Sequence, residues 1–343
     1  MLELLENHSL RSFNTFGLDI KSEYFTRFTS VDELRESMAW KLSKCKDFMI
    51  LGGGSNVLFT EDFEGLVLRN ELFGIQVIGE TETFIQVEVG AGEVWHDFVM
   101  KCIQNDWAGL ENLSLIPGSV GASPMQNIGA YGVEIEQRFH SLKALHLETL
   151  EIHEFSHDDC AFGYRESVFK NKLKGQYCIL SVTFNMLKTP DFQISYGAIK
   201  AELESAGSEL SIKSISDAVI RIRRSKLPDP NVIGNAGSFF KNPVVNMESF
   251  EKVKAAHPDI VAYPAGNKMK IAAGWMIDQA GWKGEDRGGY GVHDKQALVL
   301  VNRGGATGES IYNLSSDIIR DIQEKYGVTL EREVNVIRTS HKG

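Results

Sequence analysis

Apolar positions recur along this chain with two periods, and each change of period marks an element. Ser30-Val-Asp-Glu33 reads as a capping box, with Leu34, Met38 and Leu42 behind it at helical spacing. Phe48-Met-Ile-Leu51 is a short apolar strand that runs directly into Gly52-Gly-Gly-Ser-Asn56, and Val57-Leu-Phe59 and Val67-Leu68 read as further strands. Phe84-Ile-Gln-Val-Glu-Val-Gly90 alternates as a half-buried strand does, and residues 93–105 carry Val94, Phe98 and Cys102 at helical spacing. A hairpin is expected from strands at 142–147 and 151–155, and another strand at 177–187. Tyr196-Gly197 and residues 198–205 predict a loop entering a helix. Ser216 is placed to cap a helix through Ser225, stopped by Leu227-Pro-Asp-Pro230. Helices are expected over 249–256, 273–280 and 309–326, the last with Thr307 near its cap and Gly327 at its end. Strands are expected at 297–301 and, clearly alternating, at 328–337. Helices and strands follow each other irregularly, which fits α+β better than a βαβ series.

Length and charge narrow the class. A chain of 343 residues predicts about two domains, with three small lobes possible, and 43% hydrophobic with 24% charged residues is ordinary for a soluble globular protein. The net charge of −10 argues against nucleic acid as a partner, so an anionic ligand has to be held by local donors. Cys45, Cys102, Cys160 and Cys178 form no C-x-x-C pair and have no metal-ligand spacing; buried thiols in a reducing compartment are expected. The N-terminus has no basic region and apolar core of a signal peptide, and no apolar run nears the ~18 residues of a membrane span. A cytoplasmic protein without a membrane partner is expected.

Candidate chemistry begins with Ile116-Pro-Gly-Ser-Val-Gly-Ala-Ser-Pro-Met-Gln-Asn-Ile-Gly-Ala-Tyr-Gly132, uncharged and rich in small residues. Small side chains let backbone N–H groups approach an anion, so this stretch is a diphosphate cradle or a surface Ω-loop. Gly52-Gly-Gly-Ser-Asn56 is a second backbone wall for a phosphorylated ligand or simply a tight βα turn. Gly90-Ala-Gly-Glu-Val-Trp95 lacks the third glycine of a dinucleotide fingerprint, and no Walker A pattern occurs. His153-Glu-Phe-Ser-His157 matches a zinc-protease pattern that works on a helix, but it begins in a β-like segment; no metal site is expected. In the basic cluster Arg221, Arg223, Arg224 and Lys226, most members should be solvated and one turned inward could hold phosphate. Arg165 in Gly163-Tyr-Arg165 reads by itself as a structural ion-pair residue. Ser238, in Asn235-Ala-Gly-Ser-Phe-Phe-Lys-Asn-Pro243, could donate a proton or bind a ligand. Glu331 and Glu333 fall opposite Val328, Leu330, Val334 and Val336, the wet face of an edge strand unless another domain covers it.

Taken together, these stretches resemble the UDP-N-acetylenolpyruvoylglucosamine reductase family. Its pattern is similar to Asn14-Thr-Phe-Gly17, Leu51-Gly-Gly-Gly-Ser-Asn-Val-Leu58, residues 109–132, Phe162-Gly-Tyr-Arg-Glu-Ser167 and Lys226-Leu-Pro-Asp-Pro230. It continues through Gly234-Asn-Ala-Gly-Ser-Phe-Phe-Lys-Asn-Pro243, Ala272-Ala-Gly-Trp-Met-Ile-Asp278 and Leu330-Glu-Arg-Glu-Val334, nearly end to end. The segment around Tyr196-Gly197 resembles the longer subtype, with a tyrosine loop over substrate. The resemblance implies an α+β, three-lobed flavoprotein: a vanillyl-alcohol-oxidase-type FAD-binding region and a C-terminal α+β substrate domain. The lobes would be 1–70, joined by 329–343, then 71–227, with the substrate domain at 228–328. It implies non-covalent FAD, NADPH as hydride donor and a UDP-sugar at one shared site, and reduction of the enolpyruvyl sugar nucleotide to UDP-N-acetylmuramate in peptidoglycan precursor synthesis. Flavin N5 would deliver hydride to C3, and C2 would then be protonated.

By the same resemblance, Arg165 lies at the substrate carboxylate, Glu333 is the active-site acid and Ser238 the proton donor to C2, with Lys241 and Asn242 tuning a relay. FAD positions would be Gly52, Gly53, Gly54, Ser55, Asn56, Ile116, Pro117, Gly118, Ser119, Gly121, Ala122, Ser123, Gly129, Ile179 and Arg223. Tyr196, Lys226, Asn242, Tyr263 and Lys270 would take the UDP portion. Many members have Arg where this chain has Asn335, so a nearby basic residue would have to replace one flavin or pyrophosphate contact. A monomer is expected.

Overall fold

A computed structural model describes residues 2–44 and 46–338, so the Cys45 thiol and the end of the expected 329–343 segment lie outside the described residues. The chain packs as two compact units. The first comprises the residues up to His8 with Ser22–Gly53 and Glu64–Arg223; the second comprises Ser9–Lys21, Gly54–Phe63 and the residues from Arg224 on.

The first unit holds a four-stranded and a five-stranded sheet. In the four-stranded one the order is Leu5–Ser9, Lys21–Phe28, Phe63–Asn70, Asp47–Leu51, the last two parallel. The helix Val31–Lys44 covers it, burying Leu34 and Met38 with Phe28, Leu66 and Leu68. Leu42, expected on that face, is 51% exposed. A stripe two side chains wide is enough for so small a sheet. Ser30 Oγ accepts from Glu33 N as a cap should, but the Glu33 carboxylate reaches back one residue further, to Thr29 N and Oγ.

The five-stranded sheet is antiparallel throughout, in the order Ile152–Ser156, Phe139–His146, Tyr177–Leu187, Phe84–Gly90, Ile75–Glu80. The strand Tyr177–Leu187 falls as its β-branched and aromatic content predicts, and it is buried along most of its length because it is the central strand. The helix Trp95–Gln104 packs Trp95 and Phe98 on Phe184. Val94 is not part of that face: it is the extended residue before the helix and stands 48% exposed. The edge strand Ile75–Glu80 had no expectation, because Val77 and Ile78 are adjacent and break the alternation. The helix Ile212–Lys226 starts a turn earlier than expected. Ser211 and Ser214 cap it reciprocally, and Ser216 lies inside, buried against Ser114.

In the second unit, one sheet orders Gly234–Ser238, Val299–Asn302 and Tyr290–Val292, and another Val244–Asn246, Lys268–Ile271 and Ala262–Ala265. The helix Gly308–Tyr326 buries Ile311, Leu314, Ile318 and Ile322, with Thr307 in a capping box and Gly327 in the left-handed closing position. The expected strand 328–337 does not run through. Val328, Leu330 and Val334 are buried as the alternation requires, but the chain changes partner on the way. Arg332 bridges Phe240, whereas Asn335–Ile337 pairs in parallel with Val57–Phe59. Among the described residues no helix is long and apolar enough to cross a membrane.

Candidate functional site

In the first unit the two glycine stretches touch; they are not separate walls. A Cβ on Gly53 would stand 2.7 Å from Gly118 Cα, and one on Gly52 would stand 2.5 Å from Ser119 Oγ. Any side chain there would push the two stretches apart. The stretch 116–132 is also better supported than a bare loop. Val120 N and Gly121 N donate to Glu93 O and Ala91 O, Trp95 N donates to Gly118 O, and Ala91 N donates in turn to Leu180 O. Ile179 lies buried beside that anchor on the central strand. Short turns at Val120–Ala122 and Pro124–Gln126 follow, with Ser123 Oγ bonded to Val120 O. Ala122 and Pro117 are exposed, and Ile116 packs on the core. Among the described residues, the backbone N–H groups of Gly52, Gly53, Gly118 and Ser119 find no acceptor in the protein. Four such donors on one surface without charged side chains suit an anionic group such as a diphosphate. By contrast, Gly90 N and Gly92 N are spent on Gly74 O and Leu72 O, so the incomplete dinucleotide pattern is a strand crossing.

The stretch ends in a two-stranded turn, Gly129–Ala130 against Val133–Glu134, with Tyr131 and Gly132 at positive φ. Tyr131 joins two expected residues. Its ring meets Tyr196 edge-on at 5.2 Å, and its hydroxyl bonds Arg223. Arg223 is the inward member of the basic cluster, with Nε on Leu115 O at 3.2 Å. Burial lowers its pKa, and Tyr131 partly restores it. Arg221 instead pairs on the surface with Glu202, and Lys226 ends its helix exposed. Arg165 has φ 57; its Nη2 donates to Gly129 O at 2.6 Å and its Nη1 lies 3.7 Å from a Glu134 oxygen. The expected ion pair of Arg165 is thus made with Glu134.

In the second unit Ser238 ends the strand Gly234–Ser238 after a bulge, where Gly237 has φ 68 and donates its N–H to Asn235 Oδ1. A bulge re-aims the residue after it, and Ser238 is half-buried. Next to it, Glu333 N donates to Phe239 O and Lys241 N to Glu331 O, so the backbone brings Glu333 beside the residue following Ser238. Glu333 is half-buried, not on a wet edge. Lys241 pairs with Glu331 at 3.4 Å, and Asn242 Oδ1 takes Ala273 N at a helix start. Tyr263 and Lys270 are register partners, so they share a face, with Val244 on the other side of Lys270. Gly54, Ser55 and Asn56 belong to this unit. Gly54 O accepts from Thr15 N, Asn56 Nδ2 donates to Glu333 O, and Asn335 closes on Asn56 O through both its backbone and its amide.

Glu134, two residues beyond the stretch 116–132, is not among the expected positions, whereas Asn127 and Tyr131 lie inside that stretch. The H-E-x-x-H letters fall on the strand Ile152–Ser156 and the residue after it, so the two imidazoles do not share a helix face.

Comparison with known proteins bears on the whole chain. The family described as FAD binding domain matches residues 22–153, and the one described as UDP-N-acetylenolpyruvoylglucosamine reductase, C-terminal domain, matches residues 229–337. The chain is 47% identical to the UDP-N-acetylenolpyruvoylglucosamine reductase of Flavobacterium johnsoniae over 98% of its own length and 100% of that protein. It is 49% identical to the enzyme of Pseudomonas syringae pv. tomato, covering 96% of this chain and 97% of that one. A solved structure of the Thermus caldophilus reductase covers 98% of the chain at TM-score 0.66 and 22% identity, a likeness of fold.

Proposed function

The chain belongs to the UDP-N-acetylenolpyruvoylglucosamine reductase family, and from that premise we propose how its residues divide the work. It is an FAD-dependent oxidoreductase that reduces UDP-N-acetyl-3-O-(1-carboxyvinyl)-glucosamine to UDP-N-acetylmuramate in peptidoglycan precursor synthesis, with NADPH as the family's hydride donor. The observation that carries this reading is identity near one half along almost the entire chain. Bound FAD supplies the two-electron relay between NADPH and the enolpyruvyl double bond.

The N–H groups of Gly52, Gly53, Gly118 and Ser119 hold the cofactor's diphosphate, and Arg223, the inward member of the basic cluster, adds its charge to the cofactor site. Arg165 receives the enolpyruvyl carboxylate and stabilises the negative charge that builds there as hydride arrives at C3. Ser238 gives the proton to C2. Its hydroxyl is a weak acid, so it has to be held in line, and the bulge at Gly237 supports that role. Glu333 orients the reacting carboxylate or a water beside it. Tyr263 and Lys270 present one aromatic ring and one cation on a single sheet face, a fit for a nucleotide, and Asn242 and Lys226 complete the UDP contacts. The segment before Tyr196, leaning on Tyr131, is the tyrosine loop of the longer subtype. The four-stranded sheet lies in the lobe 1–70 and the five-stranded sheet in the lobe 71–227, with residues 228–328 as the substrate domain. A cytoplasmic monomer completes the reading.

The test is anaerobic. Titration with NADPH should bleach the flavin, and adding the enolpyruvyl sugar should restore its absorbance. In S238A the bleaching persists while the return slows by about a hundredfold or more. Equal return in both proteins would remove Ser238 from proton delivery.

A further inference from the structure

We infer that Glu134 is a positioning residue that holds the Arg165 guanidinium for the enolpyruvyl carboxylate; this rests on the assignment of Arg165 above. Arg165 occupies a left-handed backbone conformation that side chains other than glycine rarely adopt, so its surroundings have to hold it there. Gly163 and Glu166 close the turn around it through paired backbone bonds, and Lys170 Nζ caps its carbonyl at 3.2 Å.

The guanidinium is steered from the Gly129–Glu134 turn. Nη2 donates to Gly129 O at 2.6 Å, and Glu134 Oε1 faces Nη1 at 3.7 Å. That second distance is too long for a good hydrogen bond, so Glu134 acts on the guanidinium through its charge. Glu134 is itself fixed. Its other oxygen accepts from Asn127 Nδ2 at 3.0 Å, the same amide donates to Gly163 O at 3.2 Å, and Asn127 Oδ1 accepts from Glu136 N. Asn127 is fully buried. One amide therefore ties the turn that carries Arg165 to the carboxylate that faces it. Gly129 has to be glycine for this, since a Cβ there would stand 2.6 Å from Glu134 Cγ and 3.2 Å from Arg165 Nη1.

Glu134→Gln keeps the acceptor for Asn127 but removes the charge and turns an N–H donor towards Nη1. The half-reactions are followed anaerobically in E134Q, E134D, R165M and the double variant E134Q/R165M, with flavin content and melting temperature as controls of folding. Substrate-driven return of flavin absorbance should fall about tenfold to a hundredfold in E134Q, more than bleaching by NADPH does, while KM for the sugar nucleotide moves less than about threefold. E134D, which keeps the charge, should return faster than E134Q. In the R165M background E134Q should add less than about a twofold change, because its effect passes through the guanidinium. The inference is overturned if R165M slows the return but E134Q does not, if E134D and E134Q are equal, or if E134Q costs the same with and without Arg165. Should R165M itself leave the return unchanged, the assignment of Arg165 falls first and this inference with it.

Discussion

Glu111 lies 3% exposed at the start of a short turn before the stretch 116–132, accepting a hydrogen bond from Gly109 N at 2.7 Å. Burial raises its carboxyl above the ordinary 4.5, against the opposing pull of that backbone bond and of Arg138. The sign follows from linkage. A carboxyl whose folded value is raised costs least when protonated, so its contribution is best below 4.5 and worsens as pH rises towards the folded value. E111Q has nothing to ionise. Its melting temperature should therefore improve relative to the unsubstituted chain as pH climbs from 4.5 towards neutrality. Parallel melting curves across that range would show that Glu111 is not strained by its charge. At this scale the sequence singles out residues that a motif carries, as for Arg165 and Ser238. It did not name Asn127 or Glu134, whose meaning depends on Gly163, 36 positions from Asn127. The letters H-E-x-x-H show the same limit of local pattern, because ligand spacing is a property of a helix and these letters begin on a strand.

Elements were legible in proportion to how local their signals are. The helix Gly308–Tyr326 has its start in Thr307, its stop in Gly327 and its face in an apolar stripe, all within one stretch, and each was readable. Removing the Thr307 side chain should cost about 1 kcal/mol, since Ser310 N loses its acceptor. T307A should melt a few degrees lower, and T307S should recover most of the loss; a drop shared equally by T307S would place the role in packing of the methyl group. The helix Ile212–Lys226 shows the limit. Ser211, Ser214 and Ser216 precede or fall among apolar residues alike, and only the burial of Ser216 on Ser114 decides that the start is earlier. The segment 328–337 shows a different limit. Its alternation is real and its buried residues are the expected ones, but alternation cannot say that one half bridges Phe240 and the other pairs with Val57–Phe59.

At the scale of the whole molecule, composition singles out the proline pair at 228–230, and the compact units divide nearby, after Arg223. It gave no hint that Ser9–Lys21 and Gly54–Phe63 belong with the C-terminal half. Those contacts join residues hundreds of positions apart, and no local pattern encodes them. Asn235 N donates to Thr15 O, Asn302 Nδ2 to Phe16 O, and a Cβ on Gly308 would collide with Phe59 O. Asn335–Ile337 has Val57–Phe59 as its strand partner. A fragment of residues 224–343 would have to leave these groups unpaired, at about 1–3 kcal/mol for each buried polar group, and would expose the apolar surface under the missing strand. Against a typical total of about 5–15 kcal/mol for a folded unit, those losses are decisive. The fragment alone should therefore show no cooperative thermal transition by circular dichroism, although the family that it matches covers nearly all of it. A sharp transition near that of the intact chain would mean that the N-terminal segments merely decorate the second unit. The expected outcome makes them part of its core, so the turn at Gly54–Asn56 is built by the same contacts that let the C-terminal half fold.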